Sequence, residues 1–88
     1  MNRTLRPTQA LTILAVAFRA NKAPAMATDA MAIHDRAGRG LPVDRDSLGY
    51  VIKAGAALAR LDDTLAPAVH VLAGRNTAAG FNPSVSLS

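Results

Sequence analysis

The chain has 88 residues, 50% of them apolar, with two Phe, one Tyr, no Trp, no Cys and a formal net charge of +4. This length holds one domain that buries roughly 60–65% of its unfolded surface, and the lack of cysteine excludes a disulfide framework or a thiolate metal site. The charge is unevenly placed: Arg3, Arg6, Arg19 and Lys22 stand in the first 28 residues with no acid among them, whereas the six basic residues from position 29 onward meet six aspartates and cancel.

In chain order, residues 1–6 read as a basic arm. Pro7 suits a first helical turn, where its missing N–H would be unpaired anyway, with Thr4 or Thr8 as the cap. Over residues 8–20, Leu11, Leu14, Ala15 and Phe18 recur at i, i+3, i+4 and i+7. Ile13, Val16 and Ala17 fill a second face, and a helix apolar on most sides tends to be central. Arg19 and Lys22 lie at its C-terminal end, where the helix dipole favours cations, and Asn21 can take the left-handed capping conformation. Pro24 begins a second helix over 24–37, with Met26, Ala30, Ile33 and Ala37 at helical spacing and Gly38 as its stop.

Residues 38–43 read as a loop. Asp44, Asp46 or Ser47 then caps a third helix over 47–61, whose buried side is Leu48, Val51, Ile52, Gly55, Leu58, Ala59 and Leu61. Ala54, Gly55, Ala56 and Ala57 make a nearly smooth surface for close packing, either inside the domain or against a helix of another chain, with Ala54, Gly55, Ala57 and Leu58 as the candidate helix–helix contact. Asp62 and Asp63 suit the start of a fourth short helix over 64–73, with Pro67 in its first turn and Gly74 at its end. Residues 75–88 read as an extended tail. Its last residues alternate Val85 and Leu87 with serines, a strand pattern with no obvious partner earlier in the chain. The expected fold is thus all-α: three to four short helices over 7–74, a basic N-terminal arm and an extended C-terminal tail.

The chemistry is sparse. There is no glutamate, and His34 and Asp35, adjacent on a helix, point about 100° apart and do not form a dyad. His34 and His70 match no metal template, serine occurs only at position 47 and in the tail, and phosphate-binding glycine loops and nucleophile elbows are absent. Neither catalysis, a cofactor, a metal nor a small-molecule substrate is implied. Basic and apolar residues precede Ala25-Met26-Ala27 as in a secretory signal, but Arg19 and Lys22 stand between the apolar run and that site, which opposes cleavage.

A small alanine-rich core without a staple is commonly completed by a partner or by self-association. The expected function is a non-enzymatic structural or adaptor subunit of a larger assembly, cytoplasmic or within a particle such as a virion. Its contacts would be Arg3, Arg6, Arg19 and Lys22 at one end and Phe81, Val85 and Leu87 at the other. An alternative is a helix-turn-helix DNA-binding protein reading through 47–61. The linker over 38–46 is long for that motif, and Asp44 and Asp46 would repel phosphate. A second alternative is a membrane-surface helix over 1–22, although its basic residues cluster at the ends and no Trp is present.

Overall fold

The computed structural model describes residues 5–87, so Arg3 and Thr4 of the expected arm lie outside it. The protein is an all-α bundle of four helices with a two-strand ribbon among the described residues. The elements are α1 (Pro7–Ala20), α2 (Pro24–Gly38), β1 (Val43–Asp44), α3 (Arg45–Ala59), a 3-10 turn (Asp63–Leu65), α4 (Ala66–Ala78) and β2 (Ser84–Val85).

Pro7 opens α1 as its spacing predicts, but the cap is Arg6, not a threonine. The Arg6 backbone N–H donates to Gln9 Oε1 at 3.0 Å, and its carbonyl accepts from the Ala10 N–H. Thr8 lies inside the helix, where its carbonyl accepts from Thr12 Oγ1. The predicted stripe of Leu11, Leu14, Ala15 and Phe18 is buried. They share one core with Ala27, Ala30, Ile33 and Ala37 of α2, the helix packed most closely on α1, while Leu14 reaches Gly55 of α3. Alanine on the α2 side brings the two backbones close, so Leu11, Leu14 and Phe18 supply most of the volume of this layer.

The residue that closes each of α1, α2 and α4 lies later than expected, for one physical reason. A left-handed residue after the last turn lets the next two N–H groups reach back to orphan carbonyls. After α1 that residue is Lys22 (φ 60°), not Asn21. Lys22 N–H donates to the Arg19 carbonyl and Ala23 N–H to the Phe18 carbonyl, while the Asn21 amide donates to the Ala17 carbonyl at 2.8 Å. After α2 it is Gly40 (φ 73°), not Gly38, with Leu41 N–H reaching the Arg36 carbonyl. After α4 it is Gly80 (φ 61°), so α4 runs through Gly74 to Ala78 and takes the first part of the expected tail. A glycine inside a helix costs only about 1 kcal/mol, and the extra turn places Asn76 and Ala79 partly against the core side.

Asp44 caps α3: its carboxylate accepts from both the backbone N–H and the hydroxyl of Ser47, each at 2.9 Å. Of the expected buried side, Leu48, Val51 and Gly55 are buried and Ile52, Leu58 and Ala59 are half-buried, but Leu61 is 84% exposed. Leu61 falls outside because α3 ends at Ala59 and the chain turns toward the 3-10 segment, capped by Asp62 through Thr64. Gly55 receives other helices of the same chain. A Cβ there would stand 3.0 Å from Leu14 Cδ1 and 3.3 Å from Val69 Cγ2, so the smooth surface packs internally at this position.

The tail has a partner after all. Val43 pairs with Val85 and Asp44 with Ser84 in an antiparallel ribbon, and the Arg45 N–H donates to the Pro83 carbonyl. The two-residue alternation of the tail then turns Val85 and Leu87 into the core, where they are 3% and 2% exposed. These two side chains are therefore taken up by the chain itself and are not free anchors for another protein. β1 is only two residues long and lies in a stretch punctuated as a loop, so it carries no alternation of its own.

Two consequences are measurable. Gly55→Leu overpacks the α1–α3–α4 junction and should destabilise the protein by about 1–3 kcal/mol, seen as a lower midpoint in urea by circular dichroism. Leu87→Ala should destabilise the isolated chain by about 2 kcal/mol, the low end for a buried leucine because a site near a terminus can collapse. A midpoint equal to that of the unaltered chain would return Leu87 to the role of an external anchor.

Candidate functional site

The remaining expected contact residues divide cleanly by position. Arg6, Arg19 and Lys22 are exposed at the two ends of α1, and Phe81 is fully exposed in the turn between α4 and β2. Ala57 is exposed, Ala54 and Leu58 are half-buried, and Gly55 is internal. Among the described residues, the basic residues and Phe81 come from separate parts of the chain.

What the fold adds is apolar surface that the sequence reading assigned to the interior. On α1, Val16 is 61% and Ile13 37% exposed. With Ala17 and Ala20 they form one wall of an open, mainly apolar groove of about 430 Å³, closed on the other side by Leu65 and Asp62. Arg19 follows Val16 by three residues and so shares its surface. Asp62 on the far rim is engaged in capping, accepting from the Thr64 hydroxyl at 2.6 Å and its N–H at 3.1 Å. The signal for this surface was present: α1 is apolar on more sides than three short neighbours can cover.

On α3 a second shallow hollow of about 500 Å³ lies among Asp46, Gly49, Tyr50, Lys53, Ala54 and Ala57, with Tyr50 69% exposed beside it. A third cleft, also about 500 Å³, separates α2 from the start of α3 and is rimmed by Asp29, Arg36, Asp44 and Tyr50. Here Arg36 Nε donates to the Pro42 carbonyl at 3.0 Å, which holds the loop before β1 against α2.

The titratable groups are mostly solvated. Among the described residues the one ion pair is Arg39–Asp35 at 3.2 Å, exposed at both ends and one turn apart on α2, so its contribution is small. His34 is half-buried on α2 and His70 exposed on α4. Among the described residues no group of three or more His, Asp or Glu is placed to share a metal ion, and no helix is long and apolar enough to cross a membrane. Comparison with protein-family models, curated proteins and solved structures found no match.

Asp44, exposed at the start of α3, is held by its own cap. The hydrogen bond from the Ser47 N–H, then that from its hydroxyl, hold the carboxyl below its ordinary value of 3.8. A carboxylate with a lowered folded-state pKa contributes stability that is complete above the unfolded value and is lost as pH falls through the folded one. Asp44→Asn should therefore be less stable than the unaltered chain at pH 6. The gap in melting temperature should close on acidification below the usual carboxylate pKa of about 3.9. A gap constant from pH 6 to pH 2 would show that the charge of Asp44 contributes nothing.

Proposed function

We propose that this protein is a non-enzymatic adaptor or structural subunit that docks an acidic, amphipathic element of a larger protein onto the outer face of α1. The observation that carries the reading is the apolar groove beside Val16, with Arg19 next to it on the same helix surface. Burying a side chain of this size contributes about 1.5–3 kcal/mol, so leaving it in water is tolerated where a partner covers it. Arg6 and Arg19 at the two ends of α1 then set orientation, since they select a segment whose carboxylates lie on the α1 side of the groove, away from Asp62 on the opposite rim. Lys22, exposed just beyond the end of α1, would add a further cation for the same partner, and the exposed Phe81 a separate anchor.

A fluorescein-labelled synthetic helix with a leucine stripe flanked by glutamates is the probe for this reading. Anisotropy should report saturable binding that Val16→Glu weakens by about tenfold or more, as expected for a central interface residue. Arg19→Glu should weaken the same probe and spare a neutral version of it. No saturable binding would overturn the proposal. So would co-elution of the purified protein with nucleic acid that persists at moderate salt, read from the 260/280 nm absorbance ratio; contact with phosphate would then be the better account of the basic residues.

A further inference from the structure

We propose that the outer face of α3 binds a second copy of this chain in antiparallel orientation, with Tyr50 of each copy seated over Ala57 of the other. This rests on the reading of the protein as an assembly subunit and names one of its partners as itself. The geometry carries it in three steps.

First, α3 holds both a knob and a hole. Tyr50 stands 69% exposed at the side of the hollow, whose lining includes the small residues Gly49, Ala54 and Ala57. Ala54 and Ala57 follow Tyr50 at i+4 and i+7, so all three lie along one stripe of the helix. A two-fold axis crossing α3 between Lys53 and Ala54 places positions 50 and 57 opposite one another. The large side chain of each copy then meets the small one of its mate, twice, in a closed isologous contact.

Second, the charges agree with that axis and with no parallel pairing. Asp46 begins the exposed face of α3 and Arg60 follows its last turn, almost equally far from the axis. The antiparallel operation brings Asp46 of one copy beside Arg60 of the other at both ends. A parallel arrangement would set Asp46 on Asp46, Arg60 on Arg60 and Tyr50 on Tyr50. Opposite charges across an interface fix register and orientation.

Third, the size of the face sets the strength. A standard stable interface buries about 800 Å² per partner, and one face of a 15-residue helix is smaller. The dimer is therefore a weak one, formed at high local concentration such as an assembly provides. Lys53 lies nearest the axis and meets its own copy, an unfavourable pair that weakens the contact further.

Sedimentation velocity from about 10 µM to about 1 mM, the range that brackets a weak complex, is the test. Circular dichroism would confirm that each variant folds. The unaltered chain should shift from monomer to dimer within this range. Ala57→Glu, at an exposed position, should raise the dissociation constant by about thirtyfold or more, as loss of a central interface contact does. Asp46→Arg and Arg60→Asp should each weaken the dimer, the double variant should restore it, and Lys53→Ala should strengthen it. A monomer at every concentration overturns the proposal, as does a dimer indifferent to Ala57→Glu and to the charge reversals. A dimer abolished by Val16→Glu instead would also overturn it, since α1 would then be the contact. The α1 docking reading has its own peptide readout, so either proposal can fail without the other.

Discussion

Leu14 of α1 and Val69 of α4 meet at the backbone of Gly55, and the rest of the bundle is arranged around that contact. A side chain at position 55 would sit 3.0 Å from Leu14, closer than ordinary van der Waals packing. The missing Cβ is thus what lets α3 lie against two helices at once. From there α1 turns its other buried residues onto α2, and α4 carries Leu72 into the same core. In a chain with two Phe and no Trp, close backbone approach does what large side chains do elsewhere: it removes voids when there is little volume to fill them with.

The same economy explains the surface. Alanine-lined helices pack closely, but each covers little of its neighbour, so α1 keeps Ile13 and Val16 partly in water and α3 keeps Tyr50. Exposed apolar residues are ordinary when scattered. Here they border concave hollows, on α1 with a cation alongside and on α3 with opposite charges at the two ends. A small core and a partly apolar exterior are two results of one composition.

The inward stripes were legible in the sequence because burial obeys the 3.6-residue period: Leu11, Leu14, Phe18, Ala30, Ile33, Leu48 and Val51 were all readable that way. The stopping points were not. Gly38 and Gly74 look like terminators, yet the chain uses Gly40 and Gly80, since the choice depends on which residue afterwards can reach back to an orphan carbonyl. The partner of Val85 was equally hidden, because a two-residue strand inside a Gly- and Pro-marked loop leaves no alternation to detect. Surface was legible least of all. Val16 and Leu61 are apolar and periodic, and only the arrangement of neighbours decides that nothing within the described chain covers them.

The ribbon joining Val43 to Val85 has a consequence for the order of events in the cell. Synthesis proceeds from the N-terminus, so α1 and α2 leave the ribosome before the segment that covers Val43 has emerged. Until then the middle of the nascent chain presents an unpaired strand edge and an unfilled gap beneath it, the kind of surface on which unfinished chains stick to one another. The closing contact joins residues far apart in sequence, which makes it slow relative to helix formation. Ribosomes translating one message side by side would hold several such open chains together, at the high local concentration where a second copy is within reach before the first has closed.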